Sequence, residues 1–94
     1  MAFKPDGYPS LSPYLILRDA EGAIAFMEDA LGGTLVRRFD RPDGSLMHAE
    51  VRIDDSIVMV GGAGDDWPQT ETHLHLYVPD PQALFDRAIA AGAQ

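Results

Sequence analysis

The sequence predicts an α+β fold built on a strand-helix-strand-strand-strand order, and three observations predict it. A short β-prone run leads at once into an amphipathic helical pattern. Two extended segments then flank a Pro-Asp-Gly turn, and the opening strand-plus-capped-helix pattern returns near the end of the chain.

After a leader rich in Pro, Gly and Ser (Pro5 to Ser12), Pro13-Tyr14-Leu15-Ile16-Leu17-Arg18 reads as the first strand, bounded by Asp19. Asp19 is placed to cap the free amides of a helix whose apolar positions Ala20, Ala23, Ile24, Met27 and Leu31 recur at three and four residues. Gly32-Gly33 then supplies a left-handed stop. Thr34 to Asp40 reads as the second strand, and Pro42-Asp43-Gly44-Ser45 has the dihedral chemistry of a turn. Leu46 to Ile53 alternates, which sets Met47, Ala49, Val51 and Ile53 opposite His48, Glu50 and Arg52. Asp54-Asp55 connects tightly to Ser56-Ile57-Val58-Met59-Val60, an apolar run suited to a strand covered on both faces. Residues 12–61 thus make one complete βαβββ module.

Residues 62–71, polar and containing Gly64, Asp65, Asp66 and Pro68, read as a linker. Thr72 to Val78 reads as a strand, and Asp80-Pro81 occupies the cap and first turn of a helix carrying Leu84, Phe85, Ala88 and Ile89. Leu15 to Asp19 aligns with Leu76 to Asp80; the two capping aspartates lie 61 residues apart, and the two helices close on Gly32 and Gly92. Residues 72–94 are therefore expected to be a partial second module. The prediction is a single domain, 1–94, truncated in mid-repeat.

Composition narrows the function. The 94 residues, 46% hydrophobic, are enough for one core. Seven Lys and Arg against fifteen Asp and Glu give a net charge of -8, which opposes binding to nucleic acid or to an anionic membrane surface. The absence of cysteine removes disulfides and thiolate metal sites, so any metal has to use His, Asp or Glu. Met1-Ala2-Phe3-Lys4-Pro5 carries no secretory pattern and no apolar run of about 18 residues occurs, so a cytoplasmic protein is expected.

Tyr14-Leu15-Ile16-Leu17-Arg18-Asp19, Ala23-Ile24-Ala25-Phe26, Ala30-Leu31-Gly32, Pro42-Asp43-Gly44, Met47-His48-Ala49-Glu50 and His73-Leu74-His75-Leu76-Tyr77-Val78 together resemble the vicinal oxygen chelate superfamily. This superfamily embraces glyoxalase I, bleomycin-resistance proteins and extradiol dioxygenases, and the resemblance is nearest to its PhnB-like branch. It implies paired βαβββ modules curled into a cup that holds a small molecule or a divalent metal on its concave face. It also places Glu50 and His73 at two of the family's four metal positions. The first-strand position falls near Ser12, a poor ligand.

Read from the residues themselves, His48, Glu50 and Arg52 share one strand face, and His73, His75 and Tyr77 share another. Tyr14 and Tyr77 are candidates for an aromatic pocket, Trp67 for its cover, and His48 and His75 for general bases. The other reading of these side chains is a hydrogen-bonded polar sheet face. Arg18, Arg37, Arg38 and Arg52 are candidates either for an anionic ligand or for cross-strand pairing. Three functions are expected to compete. One is a small-molecule binder of the bleomycin-resistance type with no cofactor, another a metal-dependent lyase or dioxygenase using Glu50 and His73, and the last a truncated, homodimerising unit.

Overall fold

The computed structural model describes residues 3–94; Met1 and Ala2, the start of the segment read for a secretory signal, lie outside the described residues. Its elements are β1 (Tyr14–Leu17), α1 (Ala20–Leu31), β2 (Thr34–Asp40), β3 (Leu46–Ile53), β4 (Ser56–Gly62) and α2 (Pro81–Ala90). The strands form one sheet in the order β1-β4-β3-β2, with β1 parallel to β4 and the other two pairings antiparallel. This is the βαβββ module expected of residues 12–61.

Local chemistry sets the boundaries of α1. The Asp19 carboxylate accepts from the Gly22 amide at 2.9 Å, and Gly32 ends the helix in the left-handed region at φ 71°. Gly33 is needed for close approach, because a Cβ there would meet Val51 Cγ1 at 2.7 Å and the Met27 carbonyl oxygen at 3.0 Å. The last turn of α1 is thereby pressed onto β3. Ala20, Ile24 and Met27 lie over Ala49, Val51, Ile53, Val58 and Val60, and this layer is the core. Full burial of a side chain such as Val51 or Val60 contributes about 1.5–3 kcal/mol.

Strict alternation would also put Met47 on the helix side. A bulge opposite Phe39 and Asp40 shifts the register, so that Leu46 takes the core position and Met47, 48% exposed, turns to the other face.

The second departure is larger. Residues 72–78, expected as a strand, pair with nothing and run irregular and exposed. A strand is stabilised by a ladder partner, and among the described residues none is aligned with this stretch. The adjoining linker does touch the outer edge of β1: Thr70 donates its amide to the Ile16 carbonyl at 3.3 Å, and the Gln69 side chain accepts from the Arg18 amide at 2.8 Å. The helix expected after Asp80-Pro81 forms. Asp80 accepts from the Ala83 amide at 3.1 Å, Pro81 occupies the first turn, and Arg87 reaches across to the Ala30 carbonyl at 3.3 Å. No residue of α2 is buried.

Candidate functional site

The sheet has one face under α1 and one open face, and register decides which side chains share the open one. Tyr14, Met59, Glu50 and Arg37 form one row across β1, β4, β3 and β2, and Ile16, Gly61, His48 and Phe39 form the next. At the end of the sheet nearest Arg52, the leader crosses this face. The Arg52 guanidinium donates to the Gly7 carbonyl at 3.0 Å, and the Tyr8 hydroxyl donates to Glu50 Oε1. Ile57, on the same face as Met59, is fully buried at that end.

Glu50 organises the centre. It is 6% exposed, the only charged residue among the buried side chains described. Its Oε2 lies 2.7 Å from His48 Nε2, its Oε1 accepts from Tyr8, and the Arg37 guanidinium stands 3.5 Å from Oε1. Desolvation alone would raise its pKa. The hydrogen bonds from Tyr8 and His48, with the charges of His48 and Arg37, outweigh that and hold the carboxyl below its ordinary range. The same bond to Glu50 is the main reason the Tyr8 hydroxyl is pushed up from its usual pKa.

An ionised Glu50 can only accept, so His48 Nε2 carries the hydrogen between them. On the other side of the ring Nδ1 lies 2.9 Å from the Tyr14 hydroxyl, accepting from it when the ring is neutral and donating to it when the ring is charged. The outcome is a chain linking Tyr14 through His48 to Glu50, with the remaining hydrogen-bonding capacity of the Tyr14 hydroxyl left for the space beyond. That space is a groove of about 570 Å³ bounded by Tyr14, Ile16, Arg41, Met47 and Trp67, with Gly61 and Gly62 as its floor. A Cβ at Gly61 would press on the Tyr14 ring at 3.0 Å, so glycine lets that ring lie against the sheet. Trp67 reaches the groove from a turn closed by mutual backbone bonds with Gly64, and is 66% exposed.

Of the side chains singled out from sequence, Tyr14, His48, Glu50 and Trp67 meet at this groove and its relay, and Arg52 holds the leader nearby. His73, His75 and Tyr77 do not join them. His73 lines a recess with Leu15 and Leu17, residues that pack against the helix-side core. His75 lies near Leu31 and Val58, and its ring stacks edgewise on Tyr77 at 4.6 Å, with Tyr77 88% exposed. The face shared by two histidine-bearing strands required a ladder at 72–78, and that ladder is absent among the described residues.

The metal pair implied by the resemblance is accordingly separated, with Glu50 on the open face and His73 beside the helix-side leucines. Among the described residues no three His, Asp or Glu side chains converge. A catalytic divalent site uses about three protein ligands. Here Glu50 has an arginine and a tyrosine on one oxygen and a histidine on the other, and Ser12, in the same recess, is a weak donor. The donor set of these residues does not fit a divalent ion.

Two participants were missed from sequence. Tyr8 sits in a leader that reads as irregular, 42 residues from the Glu50 it meets. Arg41 precedes the turn and looks like part of it. A guanidinium next to Pro-Asp-Gly, at the end of one strand and facing the Gly-Gly end of another, is the signal that would have found it.

Comparison with known proteins agrees with this architecture. A sequence model of the Glyoxalase/Bleomycin resistance protein/Dioxygenase superfamily matches residues 11–94. Uncharacterised proteins of Mycobacterium bovis and Mycobacterium tuberculosis are each 38% identical over 99 aligned residues, covering 90% of this chain and 63% and 56% of their own lengths respectively. The chain thus spans about three fifths of the curated relatives it matches. The crystal structure of TioX from Micromonospora sp. ML1 superposes with a TM-score of 0.59 at 26% identity, over 90% of this chain and 71% of that one. With the βαβββ sheet, its open face and a family match over nearly the whole chain, this protein belongs to the glyoxalase/bleomycin resistance/dioxygenase superfamily.

Proposed function

We propose that this chain is a small-molecule-binding protein of the glyoxalase/bleomycin resistance type, within the PhnB-like branch, and that its ligand occupies the groove on the open sheet face. The observation that carries the reading is the Tyr14-His48-Glu50 relay at the groove wall. A buried, ionised carboxylate is costly to maintain, and its effect here is to fix a tyrosine hydroxyl with its oxygen presented to an apolar recess. A ligand with a polar group able to hydrogen-bond to the Tyr14 hydroxyl would complete the chain. In this reading binding needs no resident metal, because neither a carboxylate nor an imidazole lines the groove. Thermal melting across a compound panel tests the reading. Stabilising compounds should lose most of their effect in Tyr14→Phe, which removes the hydroxyl and keeps the ring. Shifts that persist in Tyr14→Phe, or that need an added divalent ion and vanish with chelator, would sink it.

A second reading concerns assembly, and a specific observation favours it: Leu74, Leu76, Tyr77, Phe85 and Ile89 are all exposed along residues 74–89. We propose that a second copy covers this apolar stretch in a homodimer, where residues 72–78 gain the ladder they lack. Sedimentation across a concentration series should show a dimer, and a monomer at every concentration would exclude it.

A further inference from the structure

Fifteen carboxylate side chains are distributed along this chain, yet none lines the groove beside Tyr14; its one charged residue is Arg41. The Arg41 guanidinium is held by neutral oxygens. Nη1 donates to the Leu46 carbonyl at 2.8 Å and more weakly to Ser45 Oγ at 3.4 Å, and Nη2 donates to the Gly62 carbonyl at 2.9 Å. Gly62 is what allows this, since a Cβ there would collide with the Leu46 carbonyl oxygen and press on Arg41 Nη1. Three of the five N–H groups are thus used to lock the fork. Nε–H and the second Nη2–H have no partner among the described residues, and no carboxylate lies within ion-pair distance of the guanidinium among them. Asp40, the preceding residue, pairs with Arg38, and Asp43, which feels the Arg41 charge, is engaged by the amide and hydroxyl of Ser45 at 2.9 and 2.6 Å.

Elsewhere on this face and its flank, Arg37 is matched with Glu50 and Arg38 with Glu21 and Asp40, while Arg52 donates to the Gly7 carbonyl under the crossing leader. An immobilised, unmatched guanidinium in a recess free of acids is complementary to an anion, and the fork geometry suits a carboxylate. The rest of the lining is apolar or aromatic: Ile16, Met47, the Tyr14 ring and the Trp67 indole. A planar hydrophobic body would lie against these surfaces.

Building on the proposed ligand-binding role, we infer that the groove selects a planar aromatic carboxylate, its carboxylate on Arg41 and its ring against Trp67 and Met47. The protein's net negative charge disfavours anions in general, so selectivity has to come from this local fork.

The test uses three probes of one shape on the whole chain: 2-naphthoate, its neutral amide 2-naphthamide, and the cationic 2-naphthylmethylammonium. Binding is followed by NMR at the indole N–H of Trp67, the only tryptophan in the sequence. The carboxylate is expected to bind about ten- to hundredfold more tightly than the amide, the discrimination typical of a charge-assisted hydrogen-bonded pair. Arg41→Gln should erase that preference, the carboxylate losing about ten- to hundredfold more affinity than the amide. Because Arg41 also ties down two backbone carbonyls, its variants are first checked by melting; the carboxylate-to-amide ratio on the wild-type chain stands regardless of their folding. Equal affinity for carboxylate and amide, or preference for the cation, overturns the anion assignment and leaves the groove as a binding site. Absence of saturable binding by all three probes overturns the inference, and Tyr14-dependent stabilisation by unrelated compounds would then show that the wider reading survives it.

Discussion

Replacing Glu50 by Gln removes the charge at the centre of the open face while preserving its size. The amide can still accept from Tyr8 or His48, but no longer as a carboxylate, and its NH₂ group meets a donor where Oε2 met His48. Hydrogen bonds to charged groups contribute about 1.5–3 kcal/mol and neutral ones about half as much. Weakening two of them costs about 2–3 kcal/mol in all, and the half-exposed Arg37 adds less than about 1 kcal/mol. For a domain of this size each kcal/mol moves the melting midpoint by roughly 4–8 °C, so Glu50→Gln should melt roughly 8–24 °C lower near neutral pH. The pH dependence gives a second, independent readout. The folded-state pKa of Glu50 is depressed, so its stabilisation is complete above the ordinary carboxyl value and is lost as the pH falls through the folded one. Urea unfolding of both proteins should therefore show a gap that is present above the ordinary carboxyl range and closes as the pH falls below it. A gap under about 0.5 kcal/mol at neutral pH, or one that persists unchanged into acid, refutes the placement of Glu50 as the organising charge.

Two further perturbations address the walls of the same face. Gly62→Ala forces a methyl group onto the Leu46 carbonyl oxygen and should destabilise the chain by about 1–3 kcal/mol in urea unfolding; an unchanged midpoint would show that the strand end is slack enough to move. Ile57→Ala should cost about 2–5 kcal/mol, because Ile57 is fully buried on the open face at the end the leader crosses, and a loss below about 1 kcal/mol would mean the leader does not hold that end closed.

Elements whose cause is local were legible from sequence. Asp19 and Gly32 bracket α1 as capping chemistry requires, Asp80 and Pro81 start α2, and the turn at Pro42-Asp43-Gly44 closes with the Gly44 amide on the Arg41 carbonyl at 2.9 Å. Residues 72–78 have the same β-prone composition as β1 and yet are not a strand. Composition states a preference for extended backbone, whereas a strand exists only where another backbone supplies the ladder. Leu15 and Leu17 find β4; Leu74 and Leu76 find no ladder partner among the described residues. Met47 failed for a related reason, since one bulge, invisible to alternation, exchanged its face with that of Leu46.

The site divides along the same line. His48 and Glu50 were legible as neighbours because they are two residues apart on one strand, a separation that places both on one face. Their partners depend on strand order instead: Tyr14 reaches His48 because β1 inserts beside β4, and Tyr8 reaches Glu50 because the leader folds back over β3. Arg41 meets Gly62 across 21 residues for the same reason, at the point where β4 outruns the expected Val60 by two glycines. Those glycines form the floor of the groove, so the error of two residues at one strand end was also the place where the arginine was missed. Within this fold, sequence pattern assigns side chains to faces, and the pairing of distant strand ends decides which of them share a recess.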